Sequence, residues 1–129
     1  MILLDTNVVI DMINNSQDAH WELLNKEDVV VCGIVIAELY RGIKNAAEKN
    51  AVELFVNAVD ELPLDSDASG EDWKKIGMFI ADLRKSGLSV PFQDAVIAYL
   101  AIKYKTTLCT NDKHFKLIQM VNEKLQLAQ

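Results

Sequence analysis

Four acidic residues stand apart from the other charges of the chain. Asp5 follows the apolar run Ile2-Leu3-Leu4 and is the only charged residue before Asp11. Glu38 is the only charge between Val29 and Tyr40, and Asp94 the only one between Ser86 and Ile102. Asp112 comes directly after the uncharged stretch Thr106 to Asn111. A carboxylate in apolar surroundings is costly unless a cation or hydrogen bonds meet it. Two carboxylates about 4 Å apart repel by on the order of 4 kcal/mol at an effective dielectric near 20. A cluster of four must therefore bind a cation or take up protons. Hard oxygen ligands with no histidine or cysteine among them suit Mg²⁺ or Mn²⁺ rather than zinc. A cation held in this way lowers the pKa of bound water and offsets charge on a phosphodiester under attack. Thr6, Asn7, Thr110 and Asn111 flank the acids and are placed to orient them or the water around the cation.

The elements that must position these acids follow from hydrophobic patterning. Ile2 to Leu4 reads as a short strand buried on both faces, and Val8 to Ile13 as a helix broken by Asn14-Asn15-Ser16. Gln17 to Asn25 reads as a second short helix, and Val29 to Cys32 as a β-branched strand closed by Gly33. Helices are expected at Ile34–Ile43 and Ala46–Asp60, then a brief strand at Glu61-Leu62-Pro63-Leu64 whose proline suggests a sheet edge. The cluster Asp65-Ser66-Asp67-Ala68-Ser69-Gly70 reads as a turn and helix cap. Trp73, Ile76, Ile80 and Leu83, with Phe79 alongside, form the inner stripe of the next helix, which Ser86-Gly87 stops. Pro91 opens a helix near Phe92 that runs through Tyr104. Thr106 to Cys109 is a late strand, followed by a helix from Lys113 towards Met120 and a short final strand at Leu125–Leu127. Strands alternating with helices imply an α/β fold: a mainly parallel central sheet of four or five strands covered by helices on both faces. The carboxyl edge of such a sheet is where ligands bind, and all four acids fall at that edge.

Each acid also has a purely structural use. Asp94 can favour the positive end of its helix, Asp112 can cap the helix beginning near Lys113, and Asp5 the helix after the first strand. Glu38 can point outward and pair with Arg41.

Taken together, the segments Asp5-Thr-Asn, Ala37-Glu38-Leu-Tyr-Arg-Gly42, Asp94-Ala-Val-Ile-Ala98 and Thr110-Asn-Asp112-Lys-His-Phe115 resemble the PIN-domain family. In order, spacing and length the whole chain looks like the VapC-type ribonuclease toxins of bacterial and archaeal toxin–antitoxin pairs. The resemblance implies a PIN-like three-layer sandwich and a Mg²⁺- or Mn²⁺-dependent endoribonuclease. It further implies a dimer held inactive by an antitoxin whose segment occupies the acidic groove. By the motif, Asp5, Glu38, Asp94 and Asp112 carry over as metal-binding catalytic acids and Thr110 as an auxiliary hydroxyl. Two rival readings remain beside it: a phosphotransfer domain with Asp5 as nucleophile, which lacks the second acid expected at Asn7, and a non-catalytic cation- or peptide-binding module. A housekeeping RNA-processing nuclease of the same fold would share the chemistry.

Other residues carry weaker signals. Arg41, Lys44, Arg84, Lys85, Lys113 and Lys116 are placed near the rim, where they could steer RNA phosphates. His114, beside a helix start, reads as a capping or surface residue rather than a metal ligand. Asp11, one turn after Asn7, reads as a surface residue, and Trp21, Trp73 and Tyr99 as core or interface aromatics.

The 129 residues suit one domain able to bury its own core. Half are hydrophobic and a quarter charged, which excludes a disordered chain. The apolar runs are too short to span a bilayer and no leader is recognisable, so a cytoplasmic protein is expected. In that setting Cys32 and Cys109 read as free buried thiols. A net charge of −6 argues against affinity for nucleic acid through overall charge, leaving that task to bound cations and local basic rims.

Overall fold

A computed structural model describes residues 1–65 and 67–128. The apolar run after Met1 forms β1 (Ile2–Leu4), buried along its whole length. Helix α1 (Thr6–Asn14) starts with no loop between, capped by the Asp5 side chain, and buries Val8, Val9 and Met12. A 3-10 turn (Ala19–Glu22) and the one-turn helix α2 (Leu23–Lys26) replace the single helix expected at Gln17–Asn25. Neither buries a residue fully, so no apolar face holds a longer helix together. Then come β2 (Val29–Cys32), α3 (Gly33–Arg41), α4 (Ala46–Ala58) and β3 (Asp60–Leu62). The second half comprises α5 (Glu71–Lys85), α6 (Phe92–Lys103), β4 (Thr107–Cys109), α7 (His114–Val121) and β5 (Gln126–Leu127).

The five strands pair in the order β3-β2-β1-β4-β5, all parallel. This is the expected α/β architecture, a parallel sheet flanked by helices. β3 lies at one edge, as Pro63 suggested, with the proline just beyond the strand. From β1 the chain moves outward through β2 and β3, then crosses to the other side for β4 and β5. The direction therefore reverses between β1 and β4, the point at which open parallel sheets form their ligand crevice. Register aligns Leu3 with Val30 on one side and with Leu108 on the other, so the three central strands end together.

The core is continuous through the sheet and its helices. Leu3, Leu4, Leu108, Ile97, Phe115 and Ile118 are fully inaccessible, each large side chain contributing roughly 1.5–3 kcal/mol. α6 is buried along Ala95 to Ala98 and again at Leu100 and Ala101. Only its first turn, with Asp94, carries an acid. α6 packs against both α5 and α7, while α1, α3 and α4 pack against one another.

The inner face of α5 departs from the expected stripe. Trp73 is 51% exposed, and Asp72 takes the inward position above Ile76 and Leu83. Residues 72, 76 and 83 are spaced for one helix face. The phase is set by polar groups on α6: Tyr99 and Lys103 both bond the Asp72 carboxylate, at 2.6 Å each. The Ser86-Gly87 stop is as expected. Gly87 adopts φ +83, with its N–H on the Arg84 carbonyl and that of Leu88 on the Leu83 carbonyl, a paired closure that requires a left-handed residue. Ser66, in the segment read as a turn and cap, lies outside the described residues.

Candidate active site

The site forms where β1, β4, α3 and α6 present their ends to one cleft of about 220 Å³, lined by all four singled-out acids with Thr6, Asn7 and His114. Asp5 is placed by the shortest of connections. It ends β1, its N–H bonds the Cys109 carbonyl of β4 (2.9 Å), and its side chain caps α1. Only 6% exposed, among the described residues it meets no cation but two neutral donors: the Thr6 N–H at 2.8 Å and the Thr110 hydroxyl at 2.6 Å.

These contacts extend into a chain that ties the acids together. The Thr6 hydroxyl donates to Glu38 Oε1 (3.1 Å). The Thr110 oxygen, while donating to Asp5 Oδ2, accepts the Asp112 N–H (3.0 Å). Asp112 Oδ1 in turn accepts the His114 N–H (2.8 Å) at the start of α7. The structural uses weighed for Asp5 and Asp112 are thus real, and both residues still face the cleft. The same holds for Glu38, whose Oε2 lies 3.7 Å from an Arg41 nitrogen. That guanidinium is on a side chain 78% exposed, so the pair is weak.

Asp94 stands in the first turn of α6 with its side chain 14% exposed. Burial, then the negative charges of Asp112 and Asp5, push its carboxyl above the ordinary value, with His114 pulling the other way. Burial also raises the Cys32 thiol, to about 11, so this cysteine beneath the site remains protonated at neutral pH.

His114 is the residue that sequence reasoning set aside. Its Nδ1 lies 3.4 Å from Asp112 Oδ1 and 3.7 Å from Asp94 Oδ2. One ligand atom from each of Asp94, Asp112 and His114 falls within 4.8 Å of the others. Asp5 and Glu38 line the same cleft outside that tight group. The signal that could have found His114 is its position two residues after Asp112, where an Asx-type turn folds the chain back over the acid. Gln93 and Pro91 also line the cleft, and Asp11 accepts a 3.0 Å bond from Asn111 just outside it. Of the basic residues expected at the rim, Arg41 reaches Glu38, and Lys113 and Lys116 line an adjoining groove. Lys44 lines a further groove by α1, α3 and α4 that shares Glu38 with the cleft, while Arg84 and Lys85 end α5 and line none of these three. Trp21 is tied down by bonds from its Nε1 to the Met12 and Asn15 carbonyls and stands edge-on to Phe55.

The donor set fits a divalent cation. Four carboxylates line one cleft whose lining includes no lysine or arginine, and burial first, then the charges of Asp112 and Asp5, raise the Asp94 carboxyl.

The fold and the cleft together define an α/β protein whose parallel sheet carries a carboxylate-lined crevice at its switch point. The chain belongs to the PIN-domain family, whose model matches residues 2–119. It is 30% identical over 125 residues to Ribonuclease VapC2 of Rickettsia felis, spanning 90% of each chain. A crystal structure of VapBC2 from Rickettsia felis, bound to a DNA fragment from its promoter, superposes with a TM-score of 0.79. It shares 25% identity and covers 99% of this chain and 98% of that one. VapBC-1 from nontypeable Haemophilus influenzae is similar, with a TM-score of 0.78 and 26% identity over 100% of this chain and 98% of its own. Among the described residues no helix is long and apolar enough to cross a membrane.

Proposed function

We propose that the chain acts as one PIN-like domain, a Mg²⁺- or Mn²⁺-dependent endoribonuclease that serves as the toxin of a toxin–antitoxin pair. The observation that carries this reading is the convergence of Asp5, Glu38, Asp94 and Asp112 on one cleft whose lining includes no lysine or arginine. The relatives named ribonuclease and VapBC supply the biological setting.

Asp94 and Asp112, with Asp5 and Glu38 behind them, are the residues that would hold the ion. When bound, such an ion supplies Lewis acidity, lowering the pKa of water and offsetting charge on the phosphodiester. The protein's own groups prepare for this. Thr110 holds Asp5 through Oδ2, and Thr6 holds Glu38 through Oε1, so neither carboxylate must reorganise to meet substrate. Asn7 lines the mouth, free to hydrogen-bond a phosphate oxygen or water. His114 sits over the two outer acids, where its ring can contact the reacting phosphate. We propose further that the protein works in the cytoplasm as a homodimer and is silenced by a cognate antitoxin.

The test is cleavage of a labelled RNA pool by the purified chain with Mg²⁺ or Mn²⁺, against matched EDTA and Asp94→Asn controls. Cleavage requiring both the metal and Asp94 supports the reading. Metal binding by a folded chain that cuts no RNA would favour a binding module instead. Growth arrest on expression, relieved by co-expression of a neighbouring small gene, would distinguish a toxin from a housekeeping nuclease.

A further inference from the structure

Beside the acidic cleft lies a second depression, of about 630 Å³, between α7 and β5. The two share Asp112 in their walls, so they adjoin. Their chemistry is opposite. The second is lined by Lys113 and Lys116, with Asn111 and Gln119, and its only acid is the shared Asp112. Lys113 and Lys116 are three apart at the start of α7, the spacing that puts two side chains on one face. Both are exposed, and among the described residues neither lies within ion-pair distance of a carboxylate. The far wall is held in place: Gln119 Nε2 donates to the Leu125 carbonyl (3.0 Å), fastening α7 to the segment that leads into β5.

A net charge of −6 gives the chain no general attraction for a polyanion. Four carboxylates in the cleft make the site itself repulsive until a cation binds. An RNA strand therefore needs local positive charge close to the scissile bond. We infer that the groove between α7 and β5 carries the backbone flanking the scissile phosphate of a single-stranded RNA, with Lys113 and Lys116 as positioning residues for its phosphates. This rests on the endoribonuclease reading and names the path of the substrate through it. Charge favours RNA over an acidic peptide, because a polynucleotide presents phosphates at regular short spacing along the groove and into the cleft.

The experiment measures cleavage of a labelled single-stranded RNA over a range of NaCl concentrations. It compares wild type, Lys113→Ala/Lys116→Ala, Lys113→Arg/Lys116→Arg, and a control pair Lys75→Ala/Lys124→Ala on another face. For the alanine pair we expect KM to rise about tenfold with kcat within about twofold. The slope of log(kcat/KM) against log salt should flatten by about 1.4, two contacts at about 0.7 each. The arginine pair should restore both, and the control pair should change neither. Fluorescence anisotropy with the same RNA reads the groove without cleavage, so weakened binding in the alanine pair supports RNA in the groove separately from the nuclease reading. Unchanged KM, RNA affinity and salt slope overturn it, as does a fall in kcat alone. An alanine pair that binds RNA normally but no longer holds its antitoxin also overturns it, assigning the groove to a protein partner.

Discussion

Two carboxylates of this chain sit in similar seclusion and behave in opposite ways. Asp94, at the mouth of the cleft, faces Asp112 and Asp5, and its carboxyl is held above the ordinary value. Asp72, on α5, is 4% exposed and held at about 2 by the Lys103 ammonium and the Tyr99 hydroxyl. Asp72 is fully satisfied: besides those two bonds it accepts the Asp65 N–H (2.8 Å), while its own N–H bonds Asp65 Oδ1 (2.9 Å). Lys103 also lies 5.2 Å from the centre of the Tyr104 ring. Burial raises both acids, and their neighbours decide the outcome. A carboxylate whose partners are cations and donors joins α5 to α6. One whose partners are further carboxylates is, on the proposed reading, left to meet an ion that is not part of the chain.

The largest effect should come from Asp94→Asn. RNA cleavage should fall by roughly a hundredfold or more, beyond the loss typical of residues that merely orient ligands. The metal-free protein should be no less stable in urea, because a like charge has been removed. Loss of stability would place Asp94 beside Asp72 as a structural acid and dissolve the contrast.

Asp72→Asn should do the reverse. Stability to urea should drop by about 2 kcal/mol, below the usual cost of breaking a buried pair because Lys103 keeps about a third of its side chain in water. Cleavage per folded molecule should be unchanged. The effect has a pH signature. The folded value of about 2 lies below the ordinary 3.8, so the stabilisation is complete above about pH 4 and is lost as pH falls towards 2. The gap between wild type and Asp72→Asn in urea titrations should therefore be constant from pH 7 to 5 and close below pH 4.

Thr110→Val sharpens the comparison within the cleft. It removes the donor to Asp5 and the acceptor for the Asp112 N–H together. Metal affinity, measured by calorimetry, and cleavage should each fall on the order of tenfold. The smallest effect is expected at Thr106, whose buried hydroxyl has no partner among the described residues and lies at the opposite end of β4. Thr106→Val should raise stability by up to about 1 kcal/mol in thermal unfolding and leave cleavage untouched. An unmet polar group there is only a cost, whereas unmet charge at the carboxyl edge is what the proposed site would use.

Much of this is legible in the sequence. Short apolar runs such as Ile2–Leu4 and Val29–Cys32 read as strands because a strand buried on both faces excludes polar residues altogether. Asp5, Glu38, Asp94 and Asp112 read as a set because each is isolated among apolar neighbours. The alternation of strands and helices then puts them at one edge. What patterning missed is equally specific. Asp72 sits beside Glu71 in an acidic first turn, where preference for a helix N-terminus hides its other use. Patterning turns Trp73 inward because an aromatic is the stronger hydrophobic signal. The partners that turn Asp72 inward lie 27 and 31 residues away on α6.

The order of the elements, the parallel sheet and the acids available to one edge are thus properties of the sequence alone, since they follow from local periodicity and from where charge is absent. Tertiary structure decided which acid meets which partner. The bond from Thr110 to Asp5 spans 105 positions and exists because β4 pairs with β1 in one register. That register also brings His114 over Asp94 and opens the lysine groove beside the cleft. Such contacts depend on how strands and helices align across the fold, and no local pattern encodes that alignment.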